Sequence, residues 1–396
     1  MKLLRITTVP VSLKTLLKGQ HRFMSANGFE VVGVSSPGVE LENVSADEGV
    51  RTVAVEMTRT ISPLRDLKSL WQLYKLFRKE GPLIVHSHTP KAGTIGMAAA
   101  WLARVPHRLH TVAGLPLLEI TGKKRKLLDA VEKITYACAT RIYPNSMGLR
   151  DIILDQGYAS AEKLQVIGQG SSNGIDTRHF DPALFLDRER GDLRTSLDIL
   201  PDDFVFIFVG RMVRDKGINE LIKAFGLLEQ STNQSMRKKQ DNLKLLLVGP
   251  FERELDPLSP ETETMIEQNP HIIHVGYQPD VRPYFAIADC LTFPSYREGF
   301  PNVVMQAGAM ELPVIVTDIN GCNEIVQEGV NGTIISPKNV ETLQQAMERM
   351  MDDREYYERL KENARPMITS RYEQHVVWGA LLEEYRRLLK EEGVEI

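Results

Sequence analysis

The stretch FVFIFVGRMVRDKGINELIKAF, Phe204–Phe225, decides the fold. A run of aromatic and β-branched residues ends at Gly210, a polar turn follows, and a helix is expected from Ile218. A short apolar run bounded by glycine reads as a buried strand, and a strand followed by a helix is half of a βαβ unit. Working outward, the same alternation continues through LKLLLVG, HIIHVG, CLTFP, PVIVTD and GTIISP. It also runs through the first half: LLRITTV, a helix near Leu13–Ala26, FEVVGV, LWQLYKLF before PLIVHSH, and AGTIGMAAAWLA before HRLHTV. The expected fold is α/β, with two doubly wound domains in succession.

At 396 residues the chain has room for both. SSNGIDTRHFDPALF, Ser171–Phe185, is rich in turn formers and free of periodicity, so the boundary belongs there. The expected division is a first domain at 1–172, a linker at 173–200 and a second domain at 201–375. Val377, Leu381, Leu382, Tyr385, Leu388 and Leu389 recur at helical spacing. The last segment, 376–396, is therefore an amphipathic helix expected to pack back on the first domain. STNQSMRKKQDN, Ser231–Asn242, is polar and reads as a mobile surface loop. Ligands of open α/β sheets bind beyond the carboxyl ends of the strands, which makes the cleft between two such domains the default site.

Composition narrows the partners. An apolar fraction of 42% and a charged fraction of 25% suit a soluble protein, and a net charge of −4 argues against a nucleic-acid partner. Cys138, Cys290 and Cys322 have neither metal spacing nor the density of a disulfide framework, which points to a reducing cytoplasm. MKLLRITTVPVSL reads as a first strand rather than a signal peptide, and no apolar run approaches the ~18 residues of a spanning helix.

Two turns carry the chemistry. In VGRMVRDKG, Arg211 and Lys216 stand between a strand and a helix start whose amides point outward, a combination that suits an anion. A solvated basic loop with exposed cations fits the same residues. In SYREGFPNVVMQAG, Gly299 and Pro301 make a tight loop before a second helix start, with Glu298 beside it. Glu298 is either a carboxylate that accepts from hydroxyls or a helix cap. Two anion-receptive helix starts and a carboxylate together fit a nucleotide diphosphate sugar. The turn has no phosphate-binding loop of the NTPase kind.

GRMVRDKGINELIKAF, LLLVGP and SYREGFPNVVMQAGAMELPVIVTDINGCNEIVQEGVNG, in this order, resemble the family 4 retaining glycosyltransferases. That resemblance implies two Rossmann-like domains facing across a cleft, the GT-B fold. In the first half, VHSHTPKAGTIGMAAAWLARVPHRLHTVAGL and YPNSMGLRDIIL are similar to the branch that extends lipid-linked sugars for bacterial surface polysaccharides. The resemblance implies that Arg211 and Lys216 hold the donor diphosphate and that Glu298, the first glutamate of an E-x7-E motif, contacts the transferred sugar. Gly210, Gly299, Phe300 and Asn302 line sugar and phosphates, and GYQPDV, with Tyr277 and Val281, borders the base. His88, Thr89, His110 and Gly114 are the candidates on the acceptor side. The donor implied is a uridine diphosphate sugar, the acceptor an undecaprenyl-diphosphate-linked saccharide, and no metal or other cofactor is expected.

Two positions depart from the family pattern. The second glutamate of the motif is Gln306, an amide that keeps one acceptor for the ribose and adds donors. The histidine of the family's T-x-H-G is Ala113, so His88 or His110 stands in for it or is a packed strand-end histidine. GKKRKLL, Gly122–Leu128, is expected to start a helix with Lys123, Lys124, Arg125 and Lys126, cations that oppose the helix dipole. They fit contact with anionic lipid at the inner face of the plasma membrane, or a merely solvated face. Two other functions share the architecture: a sugar-nucleotide 2-epimerase and a non-catalytic nucleotide-sugar-binding subunit.

Overall fold

The computed structural model describes residues 1–394 except 116, 118, 119, 235–242 and 255, and of 232–234 the backbone only. The chain forms two units, Met1–Gly174 with Gln374–Ile396, and Ile175–Glu373. In the first, β1 (Lys2–Ile6), α1 (Pro10–Leu16), α2 (Gln20–Ala26), β2 (Glu30–Ser35), α3 (Val39–Glu48) and β3 (Arg51–Ala54) alternate. They are followed by α4 (Pro63–Glu80), β4 (Ile84–Ser87), α5 (Pro90–Leu102), β5 (His107–Val112), α6 (Gly122–Cys138), β6 (Arg141–Pro144) and α7 (Met147–Asp155). The parallel sheet has the order β3-β2-β1-β4-β5-β6.

Successive strand residues face opposite sides. Leu4 and Ile6 of β1 share a core with Leu73, Phe77, Ala92, Met97, Tyr136 and Ile153, under α4 to α7. Leu3 of β1 belongs to a second core with Leu13, Met24, Leu41 and the residues Leu381, Tyr385 and Leu389 of the last helix. The sheet is thus covered on both faces, which is why its strands read as continuous apolar runs.

The second unit holds α8 (Asp187–Ser196), β7 (Phe204–Val209), α9 (Ile218–Gln234), β8 (Leu243–Val248), α10 (Pro260–Gln268), β9 (Ile272–His274) and α11 (Arg282–Ala286). After these come β10 (Cys290–Phe293), α12 (Asn302–Ala309), β11 (Val314–Thr317), α13 (Cys322–Ile325), β12 (Gly332–Ile335), α14 (Val340–Asp352) and α15 (Arg354–Tyr372). Its parallel sheet has the order β12-β11-β10-β7-β8-β9. The last helix, α16 (Gln374–Glu391), returns to the first unit. There the Tyr385 hydroxyl is 2.5 Å from His86 Nδ1, and the Tyr143 hydroxyl donates to Glu384 at 3.0 Å.

The structure departs from the sequence reading in four places. The helix expected over Leu13–Ala26 is two helices broken at Gly19, whose φ of 79° favours glycine and whose missing Cβ leaves room for the Trp378 indole. Strands β3 and β6, RTVA and RIYP, were not expected; each is four residues long and sits at an edge of the sheet. Residues 175–200, read as a linker, pack as part of the second unit: Phe180, Phe185, Leu193 and Leu197 rest on its core, and Arg194 donates to the Ile287 carbonyl at 2.8 Å. Turn formers signal irregular backbone, and irregular backbone can still be packed. Of the loop expected at 231–242, residues 231–234 close α9 and 235–242 lie outside the described residues.

Candidate active site

In each sheet the strand order reverses once, between β1 and β4 and between β7 and β10. In open α/β sheets, ligands bind at such a switch point, outside the carboxyl ends of the strands. The loop after β7 carries Arg211 and Lys216; the loop after β10 carries Glu298. These are the two motifs that the sequence reading singled out.

The two loops are fastened together. Gly217 has φ 72°, and a Cβ there would fall on the Pro294 carbonyl oxygen, so the first loop lies directly on the second. The Tyr296 amide donates to the Asp215 carbonyl at 2.9 Å, and Arg297 reaches the Asp215 carboxylate at 3.1 Å. The Tyr296 hydroxyl donates to Glu220 of α9 at 2.6 Å. Held this way, Lys216 Nζ meets Glu298 Oε1 at 2.5 Å, with side chains only 15% and 16% exposed. Ser295 Oγ donates to the same carboxylate oxygen at 3.0 Å.

This corrects the sequence reading of Lys216 as an exposed turn lysine: it is a largely buried cation paired with the carboxylate expected to face the sugar. Among the described residues, Glu298 Oε2 takes no hydrogen bond and the Lys216 ammonium makes just one, so each keeps capacity for a ligand. Asn320, in the loop after β11, donates to the Glu298 and Gly299 carbonyls at 3.1 and 2.8 Å. Gly321 beside it has φ 77°, and a Cβ there would meet the Gly299 carbonyl oxygen. Sequence reasoning missed Ser295 and Asn320; a polar side chain three residues before Glu298 is a weak signal, and Asn320 acts across strands.

Arg211 is half-exposed and paired with Glu252 at 2.7 Å. Gly210 donates its amide to the Val248 carbonyl at 2.9 Å, and Gly249 has no Cβ to obstruct the Gly210 carbonyl. Phe300 is buried, with its ring 5.3 Å from Tyr372, so only its backbone is available to a ligand. Asn302 opens α12, and Gln306 follows one turn later on the same side of the helix. The Gln306 amide makes no hydrogen bond among the described residues. Tyr277 is exposed and Val281 precedes α11; both follow β9, with β8 between that strand and β7.

In the first unit, His88, His110 and Gly114 line a cavity of about 200 Å³ together with Ala113, Glu132 and Tyr136. Thr89, the fourth candidate, instead ties the loops at the switch point, its hydroxyl 2.8 Å from the Thr8 hydroxyl. His110 Nδ1 is 2.8 Å from Ser87 Oγ, and burial holds its imidazole down at about 4. His88 is buried against His86, with ring centroids 4.1 Å apart; burial and its neighbours keep it neutral. His88 Nε2 is buried without a hydrogen-bond partner, and the buried Tyr136 hydroxyl interacts with the Glu132 carboxyl one turn away. Burial also pushes the Glu132 carboxyl up. Glu132 and Tyr136 escaped the sequence reading because an i, i+4 pair inside a helix looks like ordinary surface and core.

The basic start of α6 divides. Lys123, Lys124 and Lys126 are exposed, whereas Arg125 is tied to Asp129 at 2.7 Å, Gln156 at 2.9 Å and Tyr158 at 3.1 Å. Arg125 therefore differs from the four free cations expected. No described helix is long and apolar enough to cross a membrane.

Sequence comparison matches residues 189–367 to the Glycosyl transferases group 1 family and residues 20–170 to the Glycosyl transferase 4-like domain. The chain is 34% identical over 390 residues, 98% of either chain, to the capsular polysaccharide biosynthesis glycosyltransferase CapM of Staphylococcus aureus. It is 31% identical to the UDP-Gal:alpha-D-GlcNAc-diphosphoundecaprenol alpha-1,3-galactosyltransferase of Escherichia coli, over 88% of this chain and 89% of that one. The fold is that of HepE from Anabaena, solved in complex with UDP and glucose: TM-score 0.77 at 18% identity, covering 97% of this chain and 99% of the other. With motifs and folds agreeing across both units, the chain belongs to the group 1 glycosyl transferases.

Proposed function

We propose that this protein transfers a glycosyl group from a uridine diphosphate sugar to an undecaprenyl-diphosphate-linked saccharide in surface polysaccharide synthesis, with retention of anomeric configuration and without a metal ion. The observation that carries the reading is the Lys216–Glu298 pair at the switch point of the second unit. A cation with spare protons beside a carboxylate with a spare oxygen offers one partner to a phosphate and another to sugar hydroxyls.

In this reading the second unit binds the donor. Lys216 and Arg211, with the first-turn amides of α9 and α12, hold the diphosphate, while Glu298 Oε2 accepts from hydroxyls of the transferred sugar. As the bond between the anomeric carbon and the phosphate oxygen breaks, its electron pair passes to the leaving uridine diphosphate. The acceptor oxygen bonds to the same face of the anomeric carbon and loses its proton to the departing phosphate oxygen. Fixed donors at the developing charge are worth ~3 kcal/mol each by analogy with oxyanion holes. With the cations carrying that charge, the reaction needs neither a metal nor the histidine replaced by Ala113. Asn302 and Gln306 fall on the ribose side, and Tyr277 and Val281 beside the base.

The first unit takes the acceptor. His88 Nε2, buried and unpartnered, with the Glu132 carboxyl and the Tyr136 hydroxyl beside it, gives its cavity hydrogen-bonding groups of low charge. Such groups suit a neutral polyol, because charged groups would cost more to desolvate. The exposed lysines of α6 suit an anionic lipid surface at the inner face of the plasma membrane, or the acceptor diphosphate. Full-length likeness to transferases favours transfer over epimerisation and over a non-catalytic role.

The test is a transfer assay with and without EDTA, followed by NMR of the product linkage. An EDTA-resistant product with the donor's anomeric configuration supports the mechanism. Inversion, or loss of activity restored by a divalent cation, rejects it.

A further inference from the structure

Helix α4 carries an apolar stripe that no described residue covers. Leu64 is 85% exposed, Leu67 64% and Trp71 54%, and Ile61 just before the helix is exposed as well. At 100° per residue, positions 64, 67 and 71 fall within a sector of about 60°. Ser69, Leu73 and Phe77 occupy the buried face opposite. A single exposed leucine is ordinary; a row of leucines ending in a tryptophan is an interaction surface.

The charges of the helix are segregated. Asp66 turns inward to Lys91 of α5 and to the Ser62 amide. Glu80 is held by Lys2 at 2.8 Å and Arg51 at 2.7 Å. The outward side carries Arg65, Lys68, Lys75, Arg78 and Lys79, and the acid facing them is Glu56, 3.9 Å from Lys68. Lys75 Nζ lies 5.4 Å from the Trp71 ring, which stacks on Tyr74 at 5.1 Å. An apolar ridge with an aromatic anchor and flanking cations is the pattern of a helix lying in an anionic lipid interface.

The same layer holds the basic start of α6. Helix α5 packs against both α4 and α6, and Thr135 of α6 donates to Thr94 of α5 at 3.1 Å. The helices α4, α5 and α6 each begin at the carboxyl edge of the sheet, so Leu64 and the lysines 123, 124 and 126 stand at one edge of the unit.

We propose that α4 docks this protein on an anionic bilayer by seating Leu64, Leu67 and Trp71 beneath the head groups, with Lys68, Lys75, Arg78 and Lys79 on the phosphates. The purpose of docking rests on the reading that the acceptor is lipid-linked; the physical surface does not. The test is flotation with phosphatidylglycerol and with phosphatidylcholine vesicles, for the full chain and for Leu64→Gln/Leu67→Gln/Trp71→Gln. The wild type should partition onto phosphatidylglycerol, and the triple variant should lose at least tenfold while its melting curve and its transfer to a short soluble acceptor stay unchanged. Equal partitioning overturns the proposal. So does a wild-type dimer that becomes monomeric in the triple variant with vesicle binding intact, which assigns the stripe to a second copy of the chain. Vesicle binding lost in the triple variant of a protein that transfers no sugar upholds docking and rejects the catalytic reading.

Discussion

Lys216 Nζ lies 2.5 Å from Glu298 Oε1, a pair that joins the loop after β7 to the loop after β10 and leaves both side chains largely buried. Lys216→Ala should lower transfer about 100-fold, the effect of losing ~3 kcal/mol of charge stabilisation. It should also lower stability by about 1–3 kcal/mol, because the buried carboxylate loses its partner. Lys216→Met/Glu298→Leu should recover much of the stability and none of the transfer, since apolar isosteres replace a buried pair without leaving a charge. Urea unfolding with parallel transfer assays separates the two effects. Unchanged transfer in Lys216→Ala makes the pair a structural fastening only.

Gln306 should hold ribose. Gln306→Glu is expected to bind UDP as tightly or more so, because hydrogen bonds to an ionised acceptor are about twice as strong as neutral ones. Gln306→Ala should lose ~1 kcal/mol and no longer discriminate against deoxyribose analogues. Calorimetry reads both. An alanine variant that binds ribose and deoxyribose nucleotides like wild type makes Gln306 a packing residue.

Glu132 should act by hydrogen bonding. Burial pushes its carboxyl up, which favours the neutral form that Gln imitates. Glu132→Gln is then expected to keep most of kcat, and Glu132→Ala to raise the acceptor KM about tenfold, the equivalent of ~1.4 kcal/mol. Loss of kcat in Glu132→Gln with an unchanged acceptor KM points to a required carboxylate and contradicts a mere binding role.

The first unit should be acid-labile. Burial holds His110 at about 4 and His21 at about 3, against an ordinary 6.5, and lowers His86 and His88 too. The folded state therefore binds fewer protons than the unfolded state between those values, so stability is full above pH 6.5 and falls as pH drops towards 4. A single histidine lowered this far accounts for about 3 kcal/mol. Hydrogen exchange should show β4 and β5 opening far more readily at pH 5 than at pH 7.5. Equal protection at both values contradicts the neutral buried cluster.

Much of the fold was legible because both sheets are buried on both faces, so FVFIFVG and LKLLLVG announce strands without help from context. RTVA and RIYP were not, since four residues at a sheet edge carry too little pattern. The two turn motifs stood out because Arg211, Lys216 and Glu298 sit in turns, where charge and glycine mean chemistry more often than packing. Their pairing did not, because it depends on β7 lying next to β10, a neighbour relation set by topology. Asn320, Glu132 and Tyr136 were hidden for the same reason: each gains its meaning from a contact distant in sequence or from burial.

The central claim is transfer from a UDP sugar, and the most direct measurement follows labelled UDP sugars incubated with purified protein and an undecaprenyl-diphosphate-linked saccharide. One donor should deliver label to the lipid phase with release of an equal amount of UDP, and Lys216→Ala should give background. Conversion of the donor into another nucleotide sugar in the absence of acceptor, or no transfer from any member of the panel, would contradict the account.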